Sequence, residues 1–174
     1  MSGFVDEATV VASGIQRQDA RIQCGARAAA TGTPRCGPER GPKIDAACRG
    51  QLRDIPGITC PPRAGQQVDN YAYFPILVRP EYPMDRDALY AKLKDHGIHG
   101  RRYFYPLISQ FPMYRGLPSA RPDNLPIATE VAEQVICLPI YPALSDADVE
   151  RVTGLLRTCA QMLRDPKHRE TPPA

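Results

Sequence analysis

Eleven of the twelve aromatic residues lie between Tyr71 and Tyr141, and the first leucine is Leu52. Aromatic and branched apolar side chains supply most of the surface that a core withdraws from water. A chain with this distribution can build its core only from its later part, so function is sought from about residue 44 onward. At 174 residues there is room for one ordinary domain and a tail. Residues 1–43 are rich in Ala, Arg, Gly and Pro, with Pro34, Pro38 and Pro42 breaking any helix, and they read as a low-complexity, disordered segment apart from a short helical stretch near residues 6–20. Residues 44–69 read as a helix and linker, residues 70–164 as the folded domain, and residues 165–174 as a disordered tail.

Within the folded part, periodicity predicts a succession of elements. Tyr71–Val78 is rich in aromatic and β-branched residues and reads as a strand closed by Pro80. Asp85 can cap a helix reaching about His96, with Gly97 as its stop. Ile98–Tyr105 reads as a second strand, with Phe104 in the core and Tyr103 and Tyr105 on the other face. A helix fits Pro126–Gln134, a third strand Val135–Ile140, and Ser145 with Asp148 offers a capping-box start to a last helix. Its stripe of Val149, Val152, Leu156, Cys159 and Leu163 calls for one buried face. The result is an α/β fold, a short sheet with helices packed on it, one sheet face requiring cover.

Charge and cysteine usage narrow the function. The net charge is +3, and residues 67–174 carry equal numbers of acidic and basic side chains. That is far from the dense basic stripe that grips phosphate backbones, so no nucleic-acid partner is expected. No stretch approaches the eighteen or more apolar residues of a membrane span, and Asp6 and Glu7 interrupt any signal-like core, so a cytoplasmic, soluble chain is expected. Cys24, Cys36, Cys48 and Cys60 recur every twelve residues, whereas zinc sites use close pairs, so no metal site is expected. Cys137 and Cys159 read as buried apolar fillers.

No self-contained catalytic signature is present. Gly37–Lys43 has the wrong spacing for a phosphate loop, and its prolines remove the needed N–H donors. His96 and His99 read as a polar helix terminus. The densest chemical patch is Gly100–Arg115. There the arginines can take phosphate and the tyrosine hydroxyls can take sugar oxygens, although a half-buried strand accounts for the same pattern.

Four ordered runs carry a resemblance: Asn70-Tyr71-Ala72-Tyr73-Phe74-Pro75-Ile76; Arg86-Asp87-Ala88-Leu89 with His96-Gly97-Ile98; Arg102-Tyr103-Phe104-Tyr105-Pro106-Leu107; and Leu138-Pro139-Ile140-Tyr141-Pro142-Ala143-Leu144-Ser145. Together they closely resemble the C-terminal domain of the DegT/StrS-type sugar aminotransferases. The stretch from Tyr103 to Ser119 looks most like the branch acting on dTDP-4-keto-6-deoxyhexoses. The resemblance implies the small domain of a fold-type I enzyme dependent on pyridoxal 5'-phosphate, working as a homodimer that transfers an amino group from glutamate to a 4-keto-6-deoxy sugar nucleotide. It also implies that Asn70, Tyr71, Arg101, Tyr103, Tyr105 and Ser109 approach the nucleotide-sugar. Many family members place a histidine after the Pro-Leu of this segment, whereas this chain has Ile108-Ser109.

The family's Schiff-base lysine has no counterpart among Lys43, Lys92, Lys94 and Lys167. No catalytic residue is therefore assigned, and neither covalent cofactor binding nor activity of this chain alone is expected. Met1–Phe4 resembles a run leading into a large-domain helix. The likeness then lapses until about Ile44, as it would if residues 5–43 arose from a shifted reading frame. A non-catalytic nucleotide-sugar-binding or aminotransferase-partner module, or a functionless gene remnant, are the alternatives.

Overall fold

The computed structural model describes residues 40–63 and 71–162. The expectations for residues 1–39, for Asn70 and for the C-terminal tail lie outside them. Two compact units emerge, one containing residues 40–63, 71–103 and 134–162, the other residues 104–133.

The first unit is built on a three-stranded antiparallel sheet, β1 (Ile58–Thr59), β2 (Phe74–Val78) and β3 (Val135–Leu138), in that spatial order. Four rungs join β2 to β3, from Phe74 opposite Leu138 to Leu77 opposite Val135. Pro75 sits in the middle strand, where its missing N–H would ordinarily break a ladder. Here it faces Cys137, whose amide and carbonyl are turned the other way to exchange hydrogen bonds with Arg101. On its other flank β2 meets β1 only at Leu77 and Val78, so the proline interrupts no rung.

Among the described residues four helices accompany the strands: α1 (Arg40–Leu52), α2 (Arg86–Asp95), α3 (Pro126–Gln134) and α4 (Asp146–Gln161). Helix α1 begins four residues before the expected Ile44. It buries Ile44, Cys48 and Leu52, one turn apart, and packs on α4. The caps of α2 and α4 form as the sequence predicts. The Asp85 carboxylate accepts from the Ala88 amide at 2.7 Å. Ser145 and Asp148 bond reciprocally, Asp148 N to Ser145 Oγ at 3.1 Å and Ser145 N to Asp148 Oδ2 at 3.2 Å. Phe74, Ile76, Val78, Ile136 and Leu138 join Leu89, Leu93, Val149, Leu156 and Cys159 in one core. Leu77, Val135 and Cys137 are buried as well, on the opposite pleat of the same strands.

Two expectations change. Ile98–Tyr105 is not a strand: it contributes a single bridge, Arg101 to Cys137, and the chain turns at Tyr103 and Phe104. The alternation of Tyr and Phe imitates a half-buried strand, yet Phe104 is 68% exposed and outside the core. The remaining strands are shorter than their sequence signals, β2 starting at Phe74 and β3 ending at Leu138.

The connection after α1 is fixed by a close approach and an ion cluster. Gly57 has φ of +77°, and a Cβ there would meet the Tyr82 backbone nitrogen at 2.2 Å, so only glycine fits. Tyr82 in turn donates its hydroxyl to the Leu156 carbonyl at 2.8 Å, tying this turn to α4. Asp45, buried on α1, accepts from Arg63 through both carboxylate oxygens at 2.6 and 3.0 Å and from Arg49 at 3.0 Å. Arg49 also donates to the Pro61 carbonyl at 2.8 Å, which fastens residues 61–63 to the helix.

Burial alone would push the Asp45 carboxyl up, but the hydrogen bonds and charges of Arg63 and Arg49 hold it below its ordinary value. A depressed carboxyl contributes stability above its unfolded pKa of about 3.9 and loses it as pH falls through the folded value. Asp45→Asn should therefore cost about 2 kcal/mol at pH 6, less than a fully buried pair because both arginines are about a quarter exposed. In urea unfolding followed by circular dichroism, that deficit should shrink below about pH 4 as the wild-type carboxylate protonates.

Candidate functional site

The outer edge of β3 carries the site. Arg101 is held there by paired backbone bonds, its amide to the Cys137 carbonyl at 2.9 Å and the Cys137 amide to its carbonyl at 2.7 Å. With the backbone fixed, the exposed Arg101 side chain lines a cleft of about 300 Å³ together with Tyr73, His99, Cys137 and Tyr141. Tyr73 stacks on Tyr103, ring centres 4.9 Å apart and planes 20° from parallel, and its hydroxyl donates to that of Tyr103 at 3.4 Å. A second cleft of about 280 Å³ shares His99, Pro139 and Tyr141 with the first and adds Asp148 and Arg151. The shared residues place the two clefts side by side, and together they make up the candidate groove. A guanidinium, an imidazole and exposed phenols suit a ligand with anionic oxygens and a flat or polyhydroxylated body.

The neighbouring arginine has a different task. Arg102 reaches the Asp87 carboxylate at 3.1 Å and lies 4.8 Å from the centre of the Tyr90 ring, so it secures the chain to α2. The two histidines also separate: His96 caps α2, its Nδ1 2.8 Å from the Lys92 carbonyl oxygen, whereas His99 faces the groove.

Of the residues singled out from sequence, Arg101 and Tyr103 are brought together with Tyr73. Tyr71 lies elsewhere. Its φ is +49°, a left-handed conformation that tyrosine rarely adopts. The Arg63 guanidinium lies 4.3 Å from its ring centre, and a Cβ on Gly41 would come within 2.8 Å of that ring. Tyr71 is thus a packed anchor between α1 and β2, and Tyr73 takes its place in the cleft. Tyr105 and Ser109 belong to the second unit, both half-buried, with Ser109 inside a 3-10 turn, Ile108–Gln110. Asn70 falls outside the described residues. Tyr73, His99 and Tyr141 were missed as site residues, although Tyr73 and Tyr141 stand within the runs that carried the resemblance.

Cys137 lies in the cleft wall, yet burial pushes its thiol up to about 11, only partly offset by Arg101. The nucleophilic form is then scarce at neutral pH. Of the described lysines, Lys43 and Lys94 are exposed, Lys92 is half-buried, and none lines the cleft.

Residues 39–157 match the DegT/DnrJ/EryC1/StrS aminotransferase family, and the chain belongs to it. Among its relatives, the dTDP-4-amino-4,6-dideoxy-D-glucose transaminase of Escherichia coli is 44% identical over 154 residues, 88% of this chain and 42% of the relative. The transaminase of the same description from Shigella dysenteriae is 39% identical over 109 residues, covering 63% of this chain and 29% of its own length. Among solved structures, DesI, crystallised in the presence of its TDP-sugar product, aligns with a TM-score of 0.66 at 32% identity, over 76% of this chain and 34% of DesI. The chain thus spans roughly two fifths or less of these relatives. The 154-residue match is longer than the sequence remaining after Ile44, so the likeness reaches into the segment where it was expected to lapse.

One chemical consequence is measurable. At pH 8, Cys137 should react with iodoacetamide about a hundredfold more slowly than an unperturbed thiol. Peptide mass spectrometry over a time course checks this; labelling at the free-thiol rate would mean the cleft wall is open.

Proposed function

We propose that this chain supplies the nucleotide-sugar-facing small domain of a sugar aminotransferase. In the whole enzyme, a cytoplasmic homodimer, the reaction is amino transfer from glutamate to a 4-keto-6-deoxy sugar nucleotide. Pyridoxal 5'-phosphate would supply the amino-carrying chemistry of that enzyme. None of the described lysines lines the cleft, so none serves as the cofactor's attachment point there, and the chain alone is inactive. The observation that carries the reading is Arg101, fixed by its bridge to Cys137, beside the stacked Tyr73 and Tyr103. Arg101 takes a phosphate of the diphosphate. The phenols of Tyr73, Tyr103 and Tyr141 take sugar hydroxyls or stack on flat groups, and His99 donates or accepts between them. Asn70, Tyr105 and Ser109 are retained as further substrate contacts, whereas Tyr71 acts only by placing Tyr73. Two transaminases named for a dTDP-amino-sugar and a solved relative crystallised with a TDP-sugar support this choice of ligand.

Calorimetric titration of the full chain with a dTDP-hexose, against dTDP and free hexose, tests the reading. Binding is expected for both nucleotides and not for the free sugar. Arg101→Gln should weaken binding at least tenfold, the scale of one charge-assisted hydrogen bond. No heat at millimolar dTDP-hexose, or an unaffected Arg101→Gln variant, contradicts it. Added pyridoxal phosphate should give no more borohydride-reducible absorption with the folded chain than with the urea-unfolded chain, whose lysines react non-specifically; a larger, saturable band would show that the folded chain does hold the cofactor.

A further inference from the structure

Among the described residues, Tyr71 is the one non-glycine residue with a positive φ, +49°. A tyrosine keeps that conformation only where its surroundings over-determine it. Two neighbours do so. On one side α1 comes so close that a Cβ added to Gly41 would lie 2.8 Å from the Tyr71 ring. On the other the Arg63 guanidinium lies 4.3 Å from the ring centre. Both oxygens of the Asp45 carboxylate hold Arg63, at 2.6 and 3.0 Å, and Asp45 stands one helical turn beyond Gly41 on α1. The ring is thus clamped by α1 twice, once directly and once through an ion pair.

The clamp reaches the cleft through two residues of backbone. In an extended run Tyr71 and Tyr73 would share a face. The left-handed residue breaks that run: the Tyr71 ring packs against α1, while Tyr73 lines the cleft and stacks on Tyr103. Tyr73 itself is 46% exposed and its hydroxyl bond to Tyr103 is long at 3.4 Å, so its place depends on the backbone that carries it. We propose that Arg63 is a positioning residue for this cleft: it touches no ligand and sets Tyr73 by holding the Tyr71 ring. The proposal rests on the nucleotide-sugar reading above and deepens it, since a side chain outside the cleft then governs how tightly the cleft binds.

The first measurement needs no ligand. In the full chain with isotope-labelled tyrosine, the ring protons of Tyr73 and Tyr103 should show a nuclear Overhauser effect, assigned with Tyr73→Phe and Tyr103→Phe. Arg63→Met should weaken it, in molecules that stay folded by circular dichroism, by about threefold or more, the factor that one partly exposed cation–π contact is worth. Binding of dTDP-hexose should weaken by a similar factor. Where Arg63→Met does not fold, Tyr71→Gly carries the same test, because glycine accepts the positive φ and only the clamped ring is lost. Tyr71→Phe keeps that ring and should keep the effect. A purely structural Arg63 would lower the melting temperature and leave the ring contact at wild-type strength. That result overturns the proposal, as does an undiminished contact in Tyr71→Gly or no contact in the wild type. Loss of the contact in Tyr71→Phe overturns it too, by assigning the placement to the hydroxyl. A wild-type chain that shows the contact but gives no heat with dTDP-hexose contradicts the proposed function instead, so the two failures are told apart.

Discussion

The four rungs between β2 and β3 join segments about sixty residues apart in sequence, and most of the site follows from them. Closing so long a loop costs chain entropy, which local contacts do not recover. What recovers it is burial on both pleats, Phe74, Ile76, Ile136 and Leu138 toward the helices and Leu77, Val135 and Cys137 on the other side. The same pairing turns the Cys137 amide and carbonyl outward, where they fix Arg101. The cleft is therefore a consequence of register: a shift by one residue would point Cys137 at β2 and leave Arg101 without its bridge.

A second constraint holds residues 40–63 to this sheet. The buried Asp45 carboxylate could not persist without compensating charge, and two arginines meet it from different parts of the chain. Each arginine also covers an aromatic ring, Arg49 over Phe74 at 5.5 Å and Arg63 over Tyr71 at 4.3 Å. The cluster thus links α1, the segment after β1 and the start of β2. Tyr71 keeps its left-handed backbone because this packing over-determines it, and Gly41 leaves the space its ring occupies.

Caps and periodic stripes were legible because they are local. Asp85, Ser145 with Asp148, and the stripe through Val149, Val152, Leu156 and Cys159 depend on neighbours three or four residues away, and each took its expected place. The α/β class could be read from the order of periodic elements, and the family from four short runs. The misread strand at Ile98–Tyr105 shows the opposite case. Alternating aromatics satisfy a strand pattern, but pairing is decided by what lies alongside, and only Arg101 found a partner. The site followed the same rule. Arg101 and Tyr103 were found from residue type, whereas His99 and Tyr141 enter the groove only because β3 carries the chain past that edge. β1, two residues long, has no sequence signal of its own and exists through pairing with Leu77 and Val78.

Amide hydrogen exchange of the full chain tests most directly whether the sheet unit stands on its own ladder while residues 104–133 do not. The amides of Ile76, Ile136, Cys137, Leu138 and Arg101 should exchange slowly and as one cooperative group, at least a hundredfold slower than those of residues 104–133. Equal protection across residues 104–133, or sheet amides exchanging as fast as that stretch, would contradict the account.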